Sequence, residues 1–392
     1  MLKEKIGQAV AILREQGVDL WLTFVRETET LNDPCLDLIV GTNCTWQSAF
    51  IITAEGKTIA IVGSLDKERI KLTGLYDDIR IYVGGIGATL RAVLNEIQPK
   101  RIAVNTSVND YMADGLTHGM YQLLLKYLAD TPFGNCLISS EKLIAALRGR
   151  KSATELDLLR KSIALTEKIY TDVSLHIKAG RTEKEIADIM LKMVADHGVT
   201  TAWEVNSCPA VFTGPMSAGA HADPTERVIQ PGHVLNIDFG VKKDGYCSDI
   251  QRTWYILKNA EQTAPELVRR GFAVLLESVR LAFEAIRPGK MGWEIDQVAR
   301  NYITANGYPE YQHGLGHQVG RSTHDGAAML GPRWERYGDI VYLPLEIGQV
   351  FTIEPRLPIE GFGVATVEEM IVVTATGCEY LSHPQNKLFY TH

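Results

Sequence analysis

The sequence lacks the marks of several specialised protein classes. Its six cysteines, Cys35, Cys44, Cys136, Cys208, Cys247 and Cys378, are scattered over 392 residues with no CxxC pair. That spacing excludes a regular disulfide framework or a thiolate zinc cage and reads as reduced, mostly buried thiols. There is no apolar run long enough to span a bilayer, and the opening MLKEKIGQAV is a charged amphipathic helix without the apolar core of a secretory signal. An excess of positive charge is also missing: a net charge of −7 gives no strong positive field to draw in phosphates. The Gly84-Gly85-Ile86-Gly87 stretch precedes a helix but has no P-loop Lys-Ser/Thr. A cytoplasmic protein with no nucleic-acid or membrane partner is expected.

What is present is a globular composition, 45% hydrophobic and 22% charged. Short β-branched stretches at 20–25, 49–53, 58–62, 79–83 and 101–105 alternate with helical patterns at 3–16, 65–72, 87–97 and 110–128, as in a small α/β domain. Turn chemistry at 131–135 marks a boundary. Capping-box pairs Ser152/Glu155 and Thr182/Glu185 then open two helices, which should stop at Gly180 and Gly198. Residues 234–256 read as a hairpin turning at Asp244-Gly245. Two more helices (about 263–287 and 291–306) and further strands follow, so the pattern of a helix pair and then antiparallel strands occurs twice. The expected division is a domain over 1–135, a linker over 136–151 and a larger domain over 152–392.

The chemistry gathers around HGLGHQVGRSTH (313–324), where His313, His317 and His324 fall within twelve residues. The histidines alone decide nothing, but carboxylates elsewhere answer them. A two-residue turn at Asp244-Gly245 pairs Asp238 with Gln251 and leaves Asp249 diagonally placed on the same face. Glu354 in VFTIEP and Glu368-Glu369 in VATVEEMIVV stand among apolar residues. Carboxylates on buried faces are strongly disfavoured without a positive partner. An oxygen-rich set with one nitrogen suits a divalent metal such as Mn²⁺, Co²⁺ or Fe²⁺, with Zn²⁺ also compatible. Four acidic ligands exceed the needs of one ion and favour two, and hydrolysis is the natural reaction of such a pair.

The order Asp238, Asp249, HGLGH, TIEP, VEE resembles the pita-bread metallopeptidases: methionine aminopeptidase, aminopeptidase P, prolidase and creatinase. The motifs cover about 205–374, and the α/β region in front resembles the extra domain of the creatinase, prolidase and aminopeptidase P branch. The resemblance implies an α+β fold, with a pita-bread catalytic domain of pseudo-twofold helix pairs plus a curved antiparallel sheet, and a smaller N-terminal α/β domain. It implies two divalent ions, Mn or Co above Zn or Fe, on Asp238, Asp249, His317, Glu354 and Glu368. It further implies a dinuclear-bridging hydroxide attacking the scissile carbonyl of a small peptide, with Glu354 as proton shuttle. His221, at the end of GPMSAGAH, and His324 would be substrate-side donors. His313 is placed either near the substrate mouth or in a structural role, and Glu369 should point away from Glu368. The branch also implies a homodimer.

Two departures bear on substrate. Thr366 stands where prolidase-like members often carry Arg, and Arg356 follows TIEP where many have Gly. Arg333, Arg336 and Arg356 are candidates to clamp a substrate carboxylate, with a plain surface role the alternative for each. The expected activity is Xaa-Pro hydrolysis, as dipeptidase or aminopeptidase. The alternatives on this fold are a non-peptide C–N hydrolase or lyase, such as an ectoine hydrolase, and a non-catalytic binding module.

Overall fold

The computed structural model describes residues 1–216 and 223–392, and the chain divides into two compact units, Met1–Arg148 and Gly149–His392. No helix among the described residues is long and apolar enough to cross a membrane.

The first unit is built on a six-stranded mixed sheet. Its central Leu20–Val25 strand pairs antiparallel with Ser48–Thr53 and parallel with Ile102–Val104. Every residue of the central strand is buried, because helices cover both faces. Trp21 and Val25 enter one core with Phe50 and Ile52, while Leu20, Leu22 and Phe24 enter the other with Ile51 and Ile61. The expected linker over 136–151 is mostly regular structure: the sheet's last strand, Leu137–Ser139, and a helix, Glu141–Gly149. The sheet extends here because Ile102–Val104 offers a free edge that pairs in parallel with Leu137–Ser139.

In the second unit both capping boxes form. Ser152 Oγ accepts from the Glu155 amide and the Glu155 carboxylate accepts from the Ser152 amide, and Thr182 and Glu185 repeat the arrangement. The helices run Ala153–Ser174 and Glu183–Asp196. The first therefore ends short of the expected Gly180. The reason is competition for the backbone: the Ala179 amide donates to the His392 carbonyl, the Gly180 amide to that of Ile229, and the Ile177 carbonyl accepts from Thr391 Oγ1. Gly198, at φ +65, closes the second helix as expected.

The strands Val234–Phe239 and Ile250–Ile256 pair antiparallel with Asp238 opposite Gln251, the register set by the Asp244-Gly245 turn, whose φ angles are 51° and 81°. Leu235, Ile237 and Phe239 face the first helix pair, and Asn236 and Asp238 take the other side. The second helix pair, Glu266–Ala285 and Gly292–Ala305, precedes the Val350–Ile353 and Glu369–Val373 strands, which pair antiparallel. The repeat of helix pair and antiparallel strands is present, and with it two cores, one per helix pair.

Candidate metal centre

Five residues from distant parts of the chain meet in a cleft of about 590 Å³: Asp238, Asp249, His317, Glu354 and Glu368. Asp238 and Asp249 come from the two arms of the hairpin. Glu368 joins through a bridge between Gln251 and Glu368, in which the Glu368 amide donates to the Gln251 carbonyl at 3.3 Å. Glu354 ends the Val350–Ile353 strand, where its amide donates to Leu315 O at 2.8 Å. This brings the TIEP and HGLGH segments side by side. Their approach is close enough that a Cβ at Gly316 would overlap the Thr352 carbonyl, so glycine is required there.

His317 is aimed by its surroundings. Its Nδ1 lies 3.0 Å from the Thr323 carbonyl oxygen, which assigns the Nδ1 proton to that bond. Nε2 is thereby turned to the acids, 3.3 Å from Glu354 Oε1 and 3.7 Å from Asp249 Oδ2. A carbonyl on one ring nitrogen, with the other turned to the acids, is how metal-binding histidines are oriented.

The electrostatics point the same way. Burial, and then the charges of neighbouring carboxylates, push Asp238 and Glu368 well above the usual carboxylate range. Asp249 is raised to about 7, with burial the main cause and His317 opposing it. Burial opposes a charged His317, yet its hydrogen bond to Glu354 and the charges of Glu354 and Asp249 raise it to about 9. Burial would raise Glu354, but its hydrogen bond and charge pairing with His317 hold it below its ordinary value. Asp238 Oδ1 and Glu368 Oε2 are buried with no hydrogen-bond donor among the described residues. Such atoms cost about 1–3 kcal/mol each, more when charged. Asp249, His317 and Glu368 each offer a ligand atom within 4.8 Å of the others. Crowded carboxylates, two orphaned acceptors and one oriented imidazole fit divalent-cation binding.

The other expected residues divide. His313, His324 and Arg356 line the same cleft. The His324 ring stands edge-on to His317 at 4.3 Å between centroids. His313 Nδ1 is 2.7 Å from the Gly314 carbonyl oxygen, and burial lowers its pKa. The neutral ring therefore donates from Nδ1 and keeps an acceptor at Nε2. Arg333 and Arg336 are not brought to the cleft wall. Both are exposed: Arg333 stacks over Trp293 at 4.5 Å, and Arg336 donates to Gln312 O and stacks over Trp334 at 4.6 Å. Aromatic faces hold these guanidinium groups instead. His221 lies outside the described residues. Glu369 points away from the acids and binds Arg252 at 2.9 Å.

Three supporting residues have no metal-like signature in the sequence. Gln251 Nε2 donates to Glu354 Oε2 at 3.3 Å, and only its place two residues after Asp249, on the same strand side, hinted at it. Asp296 and Arg300, an i,i+4 pair on the Gly292–Ala305 helix, anchor the histidine segment. Arg300 donates to the His313 carbonyl at 2.7 Å, and Asp296 Oδ1 accepts from the Leu315 amide at 3.0 Å.

The family model for metallopeptidase family M24 matches residues 157–375, more than half of the chain and all of the acid cluster. The chain belongs to metallopeptidase family M24. As a member of family M24 it is a hydrolase whose chemistry depends on divalent metal ions. Similar curated proteins include uncharacterized peptidases of Staphylococcus aureus. The one from strain bovine RF122 / ET3-1 is 28% identical over 343 residues, covering 86% of this chain and 87% of its own. Among solved structures, the Xaa-Pro dipeptidase of Bacillus anthracis aligns over 100% of both chains with a TM-score of 0.76 at 24% identity. The X-Pro aminopeptidase of Thermotoga maritima MSB8 aligns over 98% of this chain and 99% of its own, with a TM-score of 0.72 at 24% identity. The prolidase of Pyrococcus horikoshii OT3 covers 98% and 100%, with a TM-score of 0.70 at 23% identity. Both units of this M24 peptidase therefore have the fold of the pita-bread enzymes that carry an additional N-terminal domain.

Proposed function

We propose that this protein hydrolyses Xaa-Pro bonds in small peptides with two divalent ions, Mn²⁺ or Co²⁺ ahead of Zn²⁺ or Fe²⁺, held by Asp238, Asp249, His317, Glu354 and Glu368. The observation that carries the reading is the convergence of four carboxylates on His317 in a cleft whose walls also present His313, His324 and Arg356. When bound, the ions supply Lewis acidity that acidifies water and polarises a carbonyl oxygen.

The chain's own groups supply the rest. Hydrolysis adds the hydroxyl of water to the acyl carbon and a proton to the departing proline nitrogen. Glu354, kept ionised by His317, is suited to take the water's proton and return it to that nitrogen. Its orientation is fixed by Gln251 at Oε2 and Thr352 Oγ1 at Oε1, the latter at 3.3 Å. His324, which lines the cleft, is the candidate donor to oxygen charge developing on the substrate. His313 Nε2, as an acceptor, suits a substrate N–H.

Purified protein loaded with Mn²⁺, Co²⁺ or Zn²⁺ should cleave Xaa-Pro dipeptides or Xaa-Pro-Yaa tripeptides and leave ectoine-type amides intact. Stoichiometric metal binding with cleavage of neither peptide class would sink the peptidase reading and leave the metal site standing.

A further inference from the structure

The loop that aims His317 is itself held by a buried ion pair. Residues 318–325 close on themselves where the Asp325 amide donates to the Gln318 carbonyl at 2.9 Å. Inside the closure the Asp325 carboxylate accepts from the Arg321 amide at 2.7 Å and from Lys151 Nζ at 3.3 Å. The Lys151 and Asp325 side chains are only 0% and 3% exposed, so the pair sits away from water. Glycine is required at Gly320, where a Cβ would overlap both Asp325 Oδ2 and Lys151 Nζ. Lys151 is fixed in its turn: it stands two residues before the Ala153–Ser174 helix, and its amide donates to the Gly348 carbonyl at 3.0 Å.

Residues 319–325 belong to no helix or strand, so these few bonds decide where the loop's carbonyls point. The Asp325 carboxylate joins the two ends of the stretch Ser322–His324 by gripping the Arg321 amide. That stretch carries both groups that meet His317: the Thr323 carbonyl, which takes the Nδ1 proton at 3.0 Å, and the His324 ring at 4.3 Å. A buried ion pair adds little stability over apolar groups of the same size. A lone buried carboxylate, however, would be strongly disfavoured, and Lys151 meets its charge. What the pair supplies is therefore geometry.

Building on the metal reading, we propose that Asp325, balanced by Lys151, is a positioning residue for the metal centre: its carboxylate fixes the Ser322–His324 stretch, and the Thr323 carbonyl then keeps a proton on His317 Nδ1 and turns Nε2 to the acid cluster.

The test compares two charge-neutral double variants of the full chain, Lys151→Met with Asp325→Asn and Lys151→Met with Asp325→Ala. Both remove the ion pair, and only the first keeps an oxygen to accept from the Arg321 amide. Calorimetry on the folded fraction measures Co²⁺ affinity. Proton NMR of the Co²⁺ form follows the solvent-exchangeable Nδ1 proton of His317, which the paramagnetic ion shifts clear of the other resonances. The asparagine variant should stay close to wild type. The alanine variant should lose about 10- to 100-fold in affinity, the usual cost of removing a partner that orients a metal-binding histidine, and its Nδ1 proton should exchange faster. Gly320→Ala, which crowds the carboxylate and leaves both charges in place, should show the same loss, and it decides alone if the alanine double variant does not fold. Equal affinity and equal proton exchange in the two double variants, or wild-type affinity in Gly320→Ala, would overturn the proposal, since a pair that serves stability alone gives those results. If the wild type binds no Co²⁺, the metal reading fails instead. Exchange of the Nδ1 proton in metal-free protein then judges the positioning alone: slow exchange that the alanine variant accelerates supports it, and equal exchange refutes it.

Discussion

Glu368 and Glu369 are adjacent buried glutamates, and their surroundings could hardly differ more. Glu369 accepts four hydrogen bonds, from Arg252 Nη1 at 2.9 Å, Arg252 Nη2 at 3.2 Å, Ser382 Oγ at 2.6 Å and the Gln385 amide at 2.8 Å. Glu368 keeps a buried Oε2 with no donor among the described residues. Burial pushes both carboxyls up. Beside Glu369 the Arg252 guanidinium opposes the push, whereas beside Glu368 the charges of Asp249, Glu354 and Asp238 add to it. A buried carboxylate is tolerated when its charge is met. On the Glu369 side the protein meets it itself, and on the Glu368 side a bound ion would meet it under the proposed metal reading. The lesson is that satisfaction, more than burial or residue type, separates a structural acid from a functional one.

The comparison can be broken most sharply on the ligand side. His317→Ala and Asp249→Ala should each abolish metal retention and lower activity by more than the roughly 10- to 100-fold that loss of a mere supporting partner costs. Metal analysis after gel filtration, together with kcat/KM, decides this, and near-full activity in either variant would remove the residue from the site. On the paired side the effect should be on stability: Glu369→Ala strands Arg252 and should cost about 3–5 kcal/mol in denaturant unfolding, while the folded fraction still binds metal.

A smaller effect should appear with pH. In protein stripped by a chelator, Asp238, Asp249, Glu368 and His317 all have raised values, so their protonated forms favour the fold. The stability they contribute is complete at low pH and is lost as pH rises, through about 7 for Asp249 and about 9 for His317. The melting temperature of stripped protein should therefore fall between about pH 5 and pH 9. Metal-loaded protein should lose less, because metal replaces the protons. Parallel curves would contradict the assignment.

Much of this contrast was legible in the sequence. The Asp244-Gly245 turn dictates the register that sets Asp238 opposite Gln251, and strand alternation alone sends Glu368 and Glu369 opposite ways. The parts that escaped depend on tertiary partners. Asp296 and Arg300 look like any i,i+4 surface pair until the helix carrying them is seen to hold the His313–Leu315 backbone. Gln251 carries no charge to draw notice. Nothing local distinguishes Arg356 from Arg333 and Arg336; aromatic rings distant in sequence or beside them engage the latter two. Gly180 misled as a helix stop because strand residues near the C-terminus capture the backbone groups before it.

The most direct test of the account is the metal content of the full chain. Stripped protein titrated with Mn²⁺ or Co²⁺ and followed by calorimetry and elemental analysis should bind two ions per chain, with proton release as the raised carboxyls and His317 give up their protons. Binding of no ion, or binding that His317→Ala and Asp249→Ala leave unchanged, would contradict it.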